Sequence, residues 1–371
     1  MKSDISLLRE KLLINGYSCS FENIMDEVDR QGLSIEHKTL LEFLKNNSRP
    51  SGIHVTPNVI LKLYGTIIKI GHFSNVFVPN LGTGAICEML NDMTVNFSTT
   101  AESNLEQRIV NRYEYPVFDR DENNSPDLVL ADAPFWFAKN LDKVKALMND
   151  VNRILSDDGL FAMTTTHNFV FSEKIKQMIS EMNKEGLFLC AVIDLPDGTY
   201  LPYAGVPCKA VIFSKKETDC VFFARINTEK VIDSIVENFL KRKNGKPEEL
   251  GIWEDNNTYS EFSDYISYKK ILRIANSYDG EYTKLEKVIL SINRPNKENV
   301  FTDHNNCIYV PKVGVSAVKT NLDDLDIKPQ NYIQVALNEE IVLASYAAFF
   351  YNTESGKEIR KESMIGGMII K

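Results

Sequence analysis

The sequence predicts an α/β protein in which a mostly parallel sheet is covered by helices on both faces. From residue 53 to about residue 225, short apolar runs alternate with amphipathic segments, which is typical of strand–helix–strand units. The flanking regions differ: residues 1–50 have helical spacing, whereas residues 281–371 mix extended and helical patterns. The composition, 43% hydrophobic and 25% charged, is that of an ordinary globular chain.

The first region, residues 1–50, is predicted to be helical. Leu8, Leu12 and Ile14 follow roughly helical spacing. The stretch RPSG at 49–52 ends the region, because proline and glycine both disfavour helix interiors.

The second region, residues 51–225, carries the strands of the predicted core. Helices are expected between them at 139–155 and 172–184. We interpret 226–280 as a helical linker and 281–371 as a C-terminal α+β module. The apolar runs predicted as strands are 75–79, 95–100, 127–131, 159–165, 191–195 and 210–214, with a further edge strand at 221–224.

Composition also narrows the classes of function. The six cysteines form no C-x-x-C pair and the five histidines form no i,i+4 pair, so no metal centre is expected. No apolar run is long enough to span a bilayer and no signal peptide is recognised, so we expect a cytoplasmic protein without a membrane partner. The net charge of −9 makes it less expected that the chain binds DNA by itself, and suggests that a partner subunit supplies part of the contacts to DNA.

The segment VPNLGTGAICEML at 78–90 places the turn Gly82-Thr83-Gly84 between the first predicted strand and the next helix. Such a turn lets a ligand approach the backbone at the carboxyl edge of a sheet, although many α/β proteins use it for packing alone. The dinucleotide-binding fingerprint requires a third glycine where this chain has Cys87, so a nicotinamide cofactor is disfavoured.

Glu102 follows the second predicted strand, about 20 residues after the glycine turn. An acid at this spacing can accept hydrogen bonds from the ribose hydroxyls of a nucleoside. A solvated carboxylate at a strand end is an equally common interpretation.

The third predicted strand ends in Asp132-Ala133-Pro134-Phe135, followed by two more aromatic residues. A carboxylate, a rigid carbonyl turn and an aromatic face together suit a planar amine, which donates to two acceptors while its ring is stacked. The site is therefore predicted at the mouth of this strand.

Taken together, these segments resemble those of adenine-N6 DNA methyltransferases, in particular the modification subunits of type I restriction–modification systems. LADAPF at 130–135 is similar to the catalytic tetrapeptide of that family, and VPNLGTG at 78–84 is similar to its cofactor loop. The segment at 52–68 resembles the Thr-Pro segment that covers the cofactor's methionine end. The segments at 153–171 and 191–216 resemble the later core elements, so that the likeness extends over about 165 residues in the order of the family.

The resemblance implies a Rossmann-like methyltransferase sheet and S-adenosyl-L-methionine as cofactor. Asp132 and the Ala133 carbonyl would accept hydrogen bonds from adenine N6, and Phe135 would stack on the extruded base. The implied catalytic residues are Asp132, Ala133, Pro134 and Phe135. The implied cofactor-binding residues are Thr56, Pro57, Val78, Pro79, Gly82, Thr83, Gly84 and Glu102.

Three residues depart from the family pattern. Val78 replaces an acid that helps to hold the cofactor's amino group, Leu81 replaces a cysteine, and Ala133 replaces a proline whose carbonyl is the acceptor. Weak cofactor binding is the expected consequence.

The C-terminal module, residues 281–371, resembles part of a DNA target-recognition domain, most visibly at 329–338 and 351–367. The partners implied are double-stranded DNA and a specificity or other subunit. Two alternatives remain open: a catalytically degenerate relative that acts in DNA binding or complex assembly, and a protein-glutamine methyltransferase, against which the Thr-Pro segment and the C-terminal module argue.

Overall fold

A computed structural model describes most of the chain. The residues described are 4–14, 20–47, 54–93, 95–119, 125–132, 140–167, 169, 172–255, 261–277, 285–295, 301, 305–312 and 316–362. They form two compact units, Met1–Phe262 and Ser263–Lys371, which are treated separately below.

The first unit is built on an eight-stranded mixed sheet in the order β2-β1-β3-β4-β6-β5-β7-β8. Strands β2, β1, β3 and β4 are parallel to one another, whereas β6 is antiparallel to both β4 and β5. The strands are β1 (Asn75–Val78), β2 (Asn96–Thr99), β3 (Leu128–Ala131), β4 (Leu160–Thr166), β5 (Phe188–Asp194), β6 (Cys208–Ser214), β7 (Cys220–Arg225) and β8 (Ile252–Asp255).

Helices connect and precede these strands in the first unit. They are α1 (Asp4–Ile14), α2 (Phe21–Arg30), α3 (His37–Asn47), α4 (Asn58–Gly71), α5 (Ala85–Asn91), α6 (Asn104–Tyr113), α7 (Leu141–Ile154), α8 (Glu173–Lys184) and α9 (Ile232–Leu240). All four residues of β3 are buried, as expected for a parallel strand covered on both faces. The predicted class, a Rossmann-like α/β sheet with N-terminal helices, is confirmed.

The N-terminal helices share the core of the sheet. The side chains of Ile24, Met25 and Val28 on α2 are fully buried, and they belong to the same apolar cluster as Leu128 and Leu130 of β3. Helices α1, α2 and α3 therefore pack on the α/β core.

The end of the first unit differs from the predicted boundaries at 225 and 280. β8 lies inside the segment interpreted as a helical linker and pairs with β7, which extends the sheet to Asp255. The apolar character of IWED is too short and too mixed to distinguish a strand from a helix by periodicity. The compact unit accordingly ends at Phe262.

The second unit contains a three-stranded antiparallel sheet in the order β10-β11-β9. Its elements are α10 (Phe262–Ala275), α11 (Leu285–Val288), β9 (Ile289–Asn293), β10 (Cys307–Pro311), β11 (Tyr332–Leu337), α12 (Ala344–Asn352) and α13 (Glu354–Glu362). One sheet face packs Ile308 and Leu337 against Ala344 and Ala347 of α12. The module is α+β, as predicted; residues 363–371 lie outside the described part.

No helix among the described residues is both long and apolar enough to cross a membrane.

Candidate active site

The carboxyl ends of β1, β2 and β3 bring most of the predicted site residues to one edge of the sheet. β1 lies between β2 and β3 and is parallel to both, so Val78, Thr99 and Ala131 end their strands on the same side. The glycine turn follows β1, Glu102 follows β2, and Asp132 follows β3. Ala133, Pro134 and Phe135 lie outside the described residues.

The glycine turn requires its glycines for conformational reasons. Gly82 and Gly84 have φ values of +56° and +78°, which disfavour side chains with a Cβ. A Cβ on Gly82 would meet no atom of the described residues within 4 Å, so among these residues there is open space on that side of the turn. Gly84 precedes the first residue of α5, and its N–H donates to Leu81 O at 2.8 Å.

Glu106 is a site residue that the sequence analysis missed. Its Oε1 accepts a hydrogen bond from Gly82 N at 3.0 Å, and its Oε2 accepts from Glu102 N at 3.0 Å and from Ser103 N at 2.9 Å. One carboxylate therefore ties the glycine turn to the loop that carries Glu102. The capping-box pattern Ser103-x-x-Glu106 was the signal that could have revealed it.

Buried polar atoms without a partner lie in the same turn. Thr83 Oγ1 and Asn80 Oδ1 have no hydrogen-bond partner among the described residues, although both atoms are inaccessible to solvent. Buried polar groups are nearly always paired, so these two oxygens fit a turn that completes its hydrogen bonds with a ligand. With the open space beside Gly82, they fit the polar part of a nucleoside cofactor.

The remaining predicted cofactor residues differ in their exposure to solvent. Val78 and Pro79 are buried, and Thr56 is only 6% exposed. Pro57 is the N-cap of α4, and the Glu102 side chain is exposed. Because Val78 is apolar, the end of β1 carries no charge that could pair with an ammonium group.

The buried carboxylate of Asp132 accepts hydrogen bonds from three side chains among the described residues. Its Oδ1 accepts from the Thr164 hydroxyl at 2.6 Å and from the Tyr200 hydroxyl at 2.5 Å. Its Oδ2 lies 3.2 Å from His54 Nε2, which must carry a proton because a carboxylate only accepts. The preceding carbonyl, Ala131 O, accepts from the Tyr64 hydroxyl at 2.7 Å. These hydrogen bonds hold both the Ala131 backbone and the Asp132 side chain in place at the carboxyl end of β3.

Electrostatics keep Asp132 ionised and the tyrosines neutral. Burial alone would raise the pKa of Asp132, but the hydrogen bond and charge of His54, together with the hydrogen bonds from Thr164 and Tyr200, hold it below its ordinary value. Burial and the Asp132 charge raise the pKa of Tyr200 and of Tyr64 well above their ordinary values. The strand therefore ends in an anion that is held by two neutral hydroxyl donors and by the His54 imidazole.

The three donors of Asp132 were also missed as site residues. Thr164 lies on β4, the neighbour of β3, whereas Tyr200 comes from the β5–β6 connection. His54 immediately precedes Val-Thr-Pro, and its ring stands edge-on to that of Tyr200 at 5.1 Å. All three residues lie inside segments that resemble the family (52–68, 153–171 and 191–216), although the resemblance predicted none of these side-chain contacts.

A separate charge network occupies the ends of β5 to β7. Lys209 Nζ donates to Asp194 Oδ1 at 2.5 Å and to Glu261, and Arg225 donates to Asp194 Oδ2 at 3.2 Å. His167 Nδ1 lies 3.2 Å from Glu261 Oε2. The network neutralises a buried lysine, and it places His167 against Glu261.

A cavity of about 450 Å³ opens beside the start of α4. Its lining includes Lys45, Pro57 and Asn58 on one side and the loop 196–203 on the other. Pro57 is the one predicted cofactor residue in that lining, so this cavity is distinct from the glycine turn. Among the described residues, no group of three potential metal ligands is found.

Comparison with known proteins gives structural likeness at low identity. No protein-family model matches the chain, and no curated protein matches it significantly. A modification subunit of a putative type I restriction enzyme from Vibrio vulnificus YJ016 is similar with a TM-score of 0.45 and 14% identity, over 63% of this chain and 64% of that one.

Two further structures are similar in the same way. The type I restriction–modification methyltransferase subunit from Streptococcus thermophilus gives a TM-score of 0.44 at 16% identity, covering 56% of this chain and 57% of that one. The M protein of the type I restriction enzyme EcoKI gives a TM-score of 0.38 at 15% identity, covering 67% of this chain and 72% of that one. The chain spans less than two thirds of the length of the Vibrio and Streptococcus proteins.

Proposed function

We propose that this protein is an S-adenosylmethionine-dependent DNA methyltransferase that methylates adenine N6 within a restriction–modification or related defence system. The observation that carries the proposal is Asp132, a fixed and ionised acceptor at the carboxyl end of β3, one strand away from the glycine turn after β1. Two neighbouring ligand positions at one sheet edge suit a cofactor and an acceptor substrate.

The glycine turn and its surroundings are the proposed cofactor site. Gly82, Thr83 and Gly84 would contact the cofactor through backbone groups and the Thr83 hydroxyl, and Glu102 would accept from the ribose. Thr56, Pro57, Val78 and Pro79 complete the proposed set. When bound, the cofactor supplies an electrophilic methyl group on a sulfonium.

Asp132 is proposed to act on the amine that receives the methyl group. The lone pair of adenine N6 is delocalised into the ring, and a hydrogen bond from N6 to the carboxylate would favour the tetrahedral nitrogen and stabilise its developing positive charge. The Ala133 carbonyl would be the second acceptor, and Phe135 would stack on the base. Oδ2 has the larger remaining acceptor capacity, because His54, its one donor among the described residues, lies at 3.2 Å, whereas Oδ1 already accepts two shorter bonds.

The catalytically degenerate alternative has one observation in its favour. Val78 is completely buried, so the place where relatives of the resembled family have an acid is apolar and inaccessible to solvent. A protein that retains the sheet but binds no cofactor would then act in assembly or DNA binding.

Calorimetry with S-adenosylmethionine, followed by transfer of its radiolabelled methyl group to unmethylated genomic DNA, tests the proposal. We expect binding that is weak but measurable, and labelled N6-methyladenine in the digested DNA. Cofactor binding without transfer, in the presence of the partner subunit, would favour the degenerate alternative. Absence of cofactor binding would overturn the enzymatic proposal.

A further inference from the structure

His37, the first residue of α3 in the N-terminal helices, contacts the glycine turn directly. Its Nε2 lies 2.9 Å from Thr83 O, and the residue is only 3% exposed. A Cβ built on Gly84 would lie 2.6 Å from His37 Cε1, so the imidazole fills the space beside that glycine. An N-terminal helix thus forms one wall of the turn.

The imidazole is itself held in one orientation. Because a carbonyl only accepts, Nε2 carries the proton that binds Thr83 O. The Tyr113 ring stacks on the imidazole at 4.2 Å with an interplanar angle of 18°. The Tyr115 hydroxyl lies 2.5 Å from Nδ1 and 2.9 Å from Glu88 Oε2, so its single proton can serve either neighbour. The ring is therefore aimed at the carbonyl by contacts on its face and on its other nitrogen.

The Gly82 end of the turn is connected to the N-terminal helices by side chains of α6. Glu106, which accepts from Gly82 N, lies on α6 two residues before Arg108. Arg108 donates to Asp26 Oδ1 at 2.9 Å and to Asp29 Oδ2, both on α2. Both supports of the turn thus connect to residues 20–47.

We infer that the N-terminal helices are part of the cofactor site, and that His37 is a positioning residue for the turn Gly82–Gly84. The inference rests on the proposed function, in which this turn binds S-adenosylmethionine. His37 acts through the Thr83 carbonyl: by fixing the peptide between Thr83 and Gly84, it fixes the position of Thr83, whose hydroxyl has no partner among the described residues. A turn without this support loses affinity for the cofactor while the sheet remains folded.

The test is calorimetry of S-adenosylmethionine and S-adenosylhomocysteine binding to the full chain. His37→Leu removes the donor, and we expect its affinity to fall by about tenfold or more. His37→Gln places an amide donor near the same position, and its affinity should stay within about threefold of the wild type. Val151→Ala, in the buried face of α7, is a matched control that loses stability in urea but should keep its affinity.

The outcomes separate this inference from the proposed function. Wild-type protein that binds neither ligand overturns both. If the wild type binds and His37→Leu binds equally well, the inference alone fails. It also fails if His37→Gln is as weak as His37→Leu, because ring packing and not the hydrogen bond would then be responsible. An equal loss of affinity in Val151→Ala would reduce His37 to a structural role.

Discussion

The hydroxyl of Tyr200 lies 2.5 Å from Oδ1 of Asp132, although the two residues are 68 positions apart in the chain. Thr164 donates to the same oxygen at 2.6 Å. These two donors stabilise the anionic form of Asp132. The other carboxylate oxygen, Oδ2, accepts from His54. The position at which the proposed chemistry needs an acceptor is therefore prepared before any substrate arrives.

Replacing Asp132 with alanine should abolish methyl transfer and leave cofactor binding nearly unchanged. The carboxylate is proposed to contact the target amine and not the cofactor, and loss of one preorganised electrostatic contact costs roughly 100-fold or more in rate. Asp132→Asn is the matched control, because it keeps an acceptor oxygen and should retain part of the transfer. Radiolabel transfer and calorimetry on both variants check this; equal activity of Asp132→Ala and wild type would contradict it.

Replacing Tyr200 with phenylalanine should shift the pH profile of transfer. The Tyr200 hydroxyl helps to lower the pKa of Asp132, so its removal should raise that pKa and move the acidic limb of the profile to higher pH. Thr199→Ala breaks a 2.6 Å hydrogen bond within the same loop, to Pro196 O, and serves as the control. Superimposable profiles for Tyr200→Phe and wild type would exclude this role.

Replacing Val78 with aspartate should strengthen cofactor binding. A charge-assisted hydrogen bond contributes about 1.5–3 kcal/mol, which corresponds to about tenfold or more in affinity. Because Val78 is fully buried, the free variant should also be less stable toward urea. Val78→Asn, of similar size but uncharged, should gain less affinity. Unchanged affinity in Val78→Asp would remove Val78 as the cause of weak binding.

Stability should fall on acidification because of His37. Burial lowers the pKa of His37 to about 4 from its ordinary 6.5, so the folded state binds fewer protons than the unfolded state between these values. The contribution is complete above pH 6.5 and is lost as the pH falls toward 4, by about 3 kcal/mol in total. The groups that face the ring are Thr83 O, Tyr113, Tyr115 and Glu88.

Urea unfolding at pH 7.5, 6.0 and 5.0 measures this contribution. The free energy of unfolding of the wild type should decrease more steeply than that of His37→Gln, because glutamine does not titrate in this range. Parallel decreases in the two proteins would show that other groups cause the acid sensitivity.

The chain without a partner should bind duplex DNA only weakly and without sequence preference. The acidic excess lies in residues 1–262, and Lys and Arg merely balance Asp and Glu in residues 263–371, so neither unit offers a strongly basic surface. Electrostatic, non-specific binding should be roughly micromolar or weaker and should fall steeply with salt. Gel-shift titrations at two salt concentrations check this. Nanomolar, sequence-specific binding by this chain alone would contradict it.

The sequence by itself determined the α/β class and the local features of the site. The alternation of apolar runs predicted β1 to β7, and the glycines at 82 and 84 predicted the turn, because both depend on short-range periodicity or backbone conformation. The role of Glu106 could also have been predicted from local sequence, since a capping box is defined by four consecutive residues. Strand β8 could not, because it is a strand through its pairing with β7 and not through its own composition.

Only the tertiary structure decided which side chains meet. Asp132 was identifiable as the end of a strand, but its donors come from three segments whose proximity depends on strand order and on the path of the β5–β6 connection. The contact between His37 and Thr83 likewise spans 46 positions and depends on how α3 packs on the sheet. Hydrophobic patterns specify which face of an element is buried, whereas partners across a core follow from the packing of all elements together.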